Sequence, residues 1–385
     1  VKSASKPRIL VTYNRDFEGA EADPENKARE DIRDIAENVA SILARRGCVT
    51  DGLGVTDDLF SALTSIKTFA PDVVFNLCES IGGDGRFEPL LPLLLDREEI
   101  AYTGSGPLTL GLALHKHKAK DMLRARGVPT PEAMHLTTPD VSAVTLPFPL
   151  IVKPSREDAS VGIYSESVVH DRAALERRVT FVLSRYRQPA LVERYIEGRE
   201  IYVSMLSRAG GPPQIFPFYE IDFSEMPADR PRIVSFEGKW VEHSDEFRGT
   251  KPVLCTGLSV ELEARIAGVA RAAFEALELR DYGRLDIRLT EAGPDAGTPY
   301  VIDVNPNCDL SDQAGGFAKA ARAAGLAYDE VILRIVELAL ARRPHADTIP
   351  LAPRSRTRHR NVPAAGGVVR APGPSTAPRR RARLV

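Results

Sequence analysis

Cysteine is scarce in this chain of 385 residues, and the four present, Cys48, Cys78, Cys255 and Cys308, stand far apart. They form no C-x-x-C pair and have no histidine at companion spacing. That argues against a zinc site or a disulfide framework and predicts reduced thiols in a cytoplasmic protein. Long apolar runs are missing as well. No stretch reaches the roughly 18 residues that a membrane-spanning helix needs, so no membrane partner is expected. The opening VKSASKPRILVTYN has no apolar segment ahead of its first strand, which argues against a secretory leader.

Neither sign of charge dominates, with a net of −2, but the distribution is uneven. From Pro344 onward nine Arg face a single acid, Asp347, giving that stretch +8 and leaving −10 for the body. A body of that sign repels a phosphate backbone, so nucleic acid is not the expected partner of the folded part. The tail also carries seven Pro and almost no aromatic residues. It is expected to be disordered, because it cannot bury enough surface to offset ordering. A solvated appendage and a contact arm for nucleic acid or anionic lipid are both readings of its charge.

What is present suits two or three packed domains, with 43% apolar residues. RILVTY (8–13) reads as a buried strand, IRDIAENVASILARRG as an amphipathic helix stopped by Gly47, and DVVFNLCE (72–79) as a second strand. This alternation predicts a parallel α/β sheet. Gly82-Gly83-Asp84-Gly85 follows a strand's C-terminal end, where open α/β sheets receive ligands. A helix is predicted over 88–96, a strand over 100–102 and one continuous helix over 107–126. Strands FPLIVKP (148–154), ALVERYI (190–196) and EIYVSMLS follow, with helices over 171–186, 259–278 and 328–342 and an irregular segment over 216–257.

The most informative stretch is Tyr300–Asp309, YVIDVNPNCD, together with Gly283-Arg284-Leu285-Asp286 upstream. GRLDIRL and YVIDVN alternate apolar and polar residues, and the turn EAGPDAGTP joins them as a hairpin. Asp286, Asp303 and Asn305 then supply hard oxygen ligands on adjacent strands, suited to Mg²⁺ holding a nucleotide's phosphates. Lys153 precedes Pro154 and the small-residue loop 155–162, which admits phosphate oxygens to backbone N–H groups or is a plain surface turn. Glu193 and Glu200 flank Tyr195-Ile196-Glu197-Gly198, either as acceptors for adenine and ribose or as a charged turn. Lys116 lies on the 107–126 helix between His115 and His117, whose spacing is wrong for a shared metal on one helix face.

In order, Tyr102-Thr103-Gly104-Ser105-Gly106, Lys116, Ile151–Glu157, Glu193–Glu200, Gly283–Asp286 and Asp303-Val304-Asn305 resemble the ATP-grasp superfamily, in its D-alanine–D-alanine ligase-like branch. The resemblance covers roughly residues 72–340 and implies an α/β chain of α+β lobes: an ATP-grasp fold with an N-terminal open α/β domain. The implied domains are 1–104 on the substrate side, 105–196 as the central lobe, 197–343 as the C-terminal lobe with the metal site, and 344–385 as the tail. It implies ATP contacts from Lys116, Lys153, Ser160, Glu193, Ile196 and Glu200, with Lys239 on the phosphates from a mobile segment. It further implies metal ligands Asp286, Asp303 and Asn305 for two Mg²⁺ (or Mn²⁺) ions, and Arg284 facing the reacting carbonyl. The family more often carries Glu where this chain has Asp303.

The activity implied is an ATP-dependent carboxylate–amine ligase. The acid is phosphorylated to an acyl phosphate, and the amine then displaces phosphate. The substrate side matches poorly: LVTYNRDFEGAEAD lacks the family's N-terminal G-G-x-S-x-E, and its loop serine and tyrosine fall at Ala159 and Trp240. Substrates are therefore expected to be amino acids or peptide-like molecules, with D-alanine one option among them. A catalytically weak ATP-binding regulatory module is the alternative, and the family's habit of pairing implies a homodimer.

Overall fold

The computed structural model describes residues 6–15 and 32–342; the acidic segment before the first helix and the basic tail lie outside the described residues. The chain opens with β1 (Arg8–Asn14), α1 (Ile32–Arg45), β2 (Val49–Val55), α2 (Leu59–Phe69), β3 (Val73–Asn76) and α3 (Leu90–Arg97). The strands form a parallel sheet in the order β2-β1-β3, with Ile9 opposite both Thr50 and Val73. Alternation along β1 sends Ile9 and Val11 against Val39, Ile42 and Leu43 of α1, and Leu10 to the opposite side with Ile66 and Leu91. Sequence reasoning missed β2 because VTDGLGV is a largely exposed edge strand without apolar alternation. It also missed α2, which Asp58 caps by accepting from the Ser61 N–H at 3.0 Å. The expected strand at 100–102 is a single parallel bridge between Val74 and Tyr102.

The helix expected over 107–126 is two helices, α4 (Pro107–Leu114) and α5 (Lys116–Ala125). His115 breaks it with ψ 78, because the Lys116 N–H donates to the Ser155 carbonyl at 3.2 Å instead of continuing the helical ladder. The His115 carbonyl then accepts from Ala119 and starts α5 afresh. This turn carries Lys116 and Lys120 inward, and both are buried.

A four-stranded antiparallel sheet follows, built from β4 (Ala133–Leu136), β5 (Leu150–Pro154), β6 (Val168–Val169) and β7 (Ala190–Arg194) in the order β4-β7-β5-β6. Leu150, Val152 and Val192 pack on Leu175, Val179 and Val182 of α6 (Arg172–Arg185).

The last sheet contains β8 (Gly198–Arg208), β9 (Gly211–Ile215), β10 (Tyr219–Asp222), β11 (Lys251–Leu254), β12 (Tyr282–Thr290) and β13 (Pro299–Asn305). Its path is β11-β10-β8-β12-β13, with β9 beside β8. The segment expected to be irregular thus holds β10, β11 and two short helices, α7 (Phe236–Trp240) and α8 (Asp245–Arg248). Leu285 and Ile287 of β12 and Val301 and Val304 of β13 bury one face against Ile266, Ala270 and Ala273 of α9 (Val260–Ala276). Helices α10 (Gly316–Ala323) and α11 (Tyr328–Ala341) pack instead into the core that holds Ile9 and Phe75.

Candidate active site

The polar face of the β12–β13 hairpin is where strand register becomes chemistry. Arg284 lies opposite Asn305, and Asp286 opposite Asp303. Residues two apart share a face, so all four side chains stand on the side away from α9. Tyr202 of β8 faces Asp286 from the other neighbour. A bulge after Asp286 resets the pairing with β13, while the pairing with β8 runs on without a shift and sets Arg288 opposite Glu200.

Each of these carboxylates is matched to a cation. Arg284 grips Asp286 through Nε at 2.7 Å and Nη2 at 3.0 Å. Lys116 Nζ reaches Asp303 Oδ2 at 2.6 Å. Burial disfavours the Lys116 ammonium, but Asp303 outweighs it and raises its pKa. Arg288 Nη2 holds Glu200 at 2.8 Å, and the Tyr202 hydroxyl donates to the same carboxylate at 3.1 Å.

Glu193, at the end of β7, is 1% exposed and sits between two ammonium groups. Lys153 meets one carboxylate oxygen, and Lys120 Nζ lies 2.7 Å from the other. Burial pushes this carboxyl up, but Lys120 and Lys153 prevail and hold it at about 2. Lys120 also donates to Thr130 Oγ1 at 3.0 Å, and Thr130 donates to the Val301 carbonyl at 2.7 Å. Lys120 did not figure among the sequence candidates. Its signal was present: it stands four residues after Lys116, the spacing that puts two side chains on one helix face.

A cavity of about 1720 Å³ takes in every residue expected to contact ATP, metal or the reacting carbonyl. Lys116, Lys153, Glu193, Ile196 and Glu200 line it with Arg284, Asp286, Asp303 and Asn305, and Ser160 and Lys239 line it from the 155–162 loop and from the segment that carries α7. Ile151, Ile196, Ile221 and Ile233 give it an apolar stretch beside Glu193. The loop and the α7 segment are joined to each other. Ser160 Oγ donates to the Val234 carbonyl at 3.0 Å, and Trp240 Nε1 donates to the Ala159 carbonyl at 2.9 Å. Lys239 is exposed, with its ammonium 5.1 Å from the Trp240 ring centre.

Two carboxylates and an amide suit a hard divalent cation. Asn305 directs its nitrogen at Asp286 Oδ2, 3.3 Å away, so ligation by this residue requires the amide to present its oxygen. Among the described residues no three His, Cys, Asp or Glu side chains gather as a metal cluster, and no helix is long and apolar enough to cross a membrane.

A family profile described as the D-ala D-ala ligase C-terminus matches residues 122–337. A D-alanine–D-alanine ligase from Chromohalobacter salexigens is 34% identical over 303 residues, 78% of this chain and 86% of its own length. The chain belongs to the D-alanine–D-alanine ligase family. It is an ATP-dependent ligase of ATP-grasp fold, similar to the D-alanine–D-alanine ligases. An uncharacterized protein, y4sG of Sinorhizobium fredii, is 33% identical over 72% of this chain and 80% of its own. The crystal structure of a D-alanine–D-alanine ligase from Bacillus anthracis complexed with ATP shares the fold, with a TM-score of 0.67 at 22% identity over 88% of this chain and 99% of that one.

Proposed function

We propose that this ligase joins the carboxylate of an amino acid or peptide-like molecule to an amine, with ATP converted to ADP and phosphate. What supports the reading is the gathering of Lys116, Lys153, Arg284, Asp286 and Asp303, from four separate segments, around one cavity. The substrate carboxylate attacks the γ-phosphorus, the bond to the bridging oxygen breaks, and ADP leaves. The amine then adds to the acyl phosphate carbonyl, loses a proton, and expels phosphate. Carboxylate and triphosphate repel each other, so cationic side chains are needed where they meet. Lys116, Lys153 and Lys239 serve the phosphates, and Arg284 the oxyanion of the second step. Glu193 holds Lys153 in place and Ile196 lines the adenine slot, with Glu200 at the ribose and Ser160 in the covering loop.

Asp286, Asp303 and Asn305 are proposed to hold Mg²⁺, which when bound neutralises phosphate charge. Residues 1–104, 105–196 and 197–343 are proposed to act as substrate-side domain, central lobe and metal-bearing lobe. Incubation with ATP, Mg²⁺ and amino acids, singly and in pairs, tests the reading through phosphate release. Release that depends on amino acids and yields an amide product supports it. Nucleotide binding without release for any pair overturns it in favour of a binding module.

A further inference from the structure

The cavity that Arg284 lines also has a polar wall, formed by Asn14 at the end of β1, Glu79 and Glu88 after β3, and Asn307 after β13. Asn307 fixes the wall. Its carbonyl oxygen accepts from the buried Tyr282 hydroxyl at 3.0 Å, while its nitrogen donates to the Cys78 carbonyl at 3.2 Å and to Glu88 Oε1 at 3.1 Å. Those three bonds leave the amide a single orientation, with the nitrogen toward Glu88. Glu79 is set by the Asn14 side chain, which accepts from its backbone N–H at 3.1 Å.

Glu88 differs from four other carboxylates that line the same cavity. Asp286, Asp303, Glu193 and Glu200 each have a lysine or arginine within ion-pair distance. Glu88 has the neutral Asn307 amide as its hydrogen-bond donor, and among the described residues no cation pairs with it. Burial, with Glu79 and Asp158 adding their charge, pushes its carboxyl well above the ordinary range despite the Asn307 bond. A carboxylate placed without a counter-charge, in a cavity where those four have theirs, is complemented by a cation that comes and goes.

We propose that Glu88 is a specificity-determining residue that receives the ammonium group of an amino-acid substrate, with Glu79 beside it and Asn307 as its support. This rests on the ligase reading and deepens it: the site selects acids that also carry a free amine. It also accounts for how a chain without the usual N-terminal glutamate segment retains an anionic wall, here supplied by the loop after β3. Glu88→Gln tests it, because glutamine keeps the size and can still accept from Asn307, so that the charge alone is lost.

Phosphate release is measured for the full chain and this variant with D-alanine and the common L-amino acids. The matching carboxylic acids lacking the amine serve as controls. A charge-assisted hydrogen bond is worth roughly 10- to 100-fold. KM for the active amino acid is expected to rise by about that factor, with kcat and the KM for ATP changed less than about threefold. The wild type should not turn over the desamino acids. An amino-acid KM within about twofold of wild type, or equal turnover of the desamino acid, overturns the proposal and leaves the ligase reading standing. Tight ATP binding with no amino-acid-dependent release from the wild type overturns both.

Discussion

Replacing Lys120 by methionine removes one charge, at nearly constant length, from a site that water does not reach. Lys120 is 3% exposed and Glu193 1%. Two lysines, working against burial, bring the Glu193 carboxyl from 4.5 to about 2. That difference corresponds to on the order of 3 kcal/mol. With Lys120 gone, Lys153 alone opposes burial, and Thr130 loses its donor. Breaking a buried pair by deleting one partner costs about 3–5 kcal/mol, and the remaining lysine places this case at the lower end. A loss of about 3 kcal/mol lowers the melting temperature by roughly 4 °C in a chain of this size.

The dependence on pH separates this cause from loss of packing. In the wild type the depressed carboxyl contributes stability that is complete above its unfolded value near 4.5 and is lost as pH falls toward about 2. In the variant the carboxyl titrates higher, so protonation relieves the buried charge earlier on acidification. The gap in melting temperature is therefore widest near neutrality and narrows as pH falls through the variant's carboxyl range. Calorimetric scans between pH 8 and pH 4 measure it. A gap that stays constant or widens toward acid, or a loss below about 1 kcal/mol at neutral pH, refutes the reasoning.

Lys153→Ala and Asp286→Ala should each lower the phosphate-release rate by on the order of 10²–10³ or more, and wild-type rates in either variant would sink the site assignment. Trp240→Phe deletes the hydrogen bond to the Ala159 carbonyl while keeping an aromatic ring. A bond worth about 1 kcal/mol shifts loop opening roughly fivefold, so more ADP should form per amide product; an unchanged ratio would show that the loops close without it. Truncation after Arg343 should leave rate and melting temperature intact. Removing Arg342 as well strips the buried Asp281 of its partner, whose Nη2 lies 2.7 Å from Oδ2, and should cost about 3 kcal/mol in melting experiments. Equal stability of the two truncations would refute that role.

The β12–β13 hairpin was legible because its alternation is local: Leu285 and Ile287 announce the buried face, so Arg284 and Asp286 must take the other. The same logic gave β1 and α1 but failed for β2, whose exposed, glycine-containing strand carries no periodic signal. The division of α4 from α5 was not legible, because the group that breaks the helix, the Ser155 carbonyl, belongs to another part of the chain. Charge pairing was hidden for the same reason. Lys116 and Asp303 were both recognisable as site residues, but nothing local to either says that they meet. Lys120 and Asn307 escaped notice because their importance lies in what they hold: Glu193 and Glu88.

Lys116 is fastened at both ends to different sheets. Its backbone N–H is tied to Ser155, just past β5, and its ammonium to Asp303 on β13. It works as a strap whose far buckle is itself a candidate cation ligand. Anything that claims Asp303 for its own coordination undoes that buckle, so what one aspartate holds also governs how firmly the two sheets are lashed together.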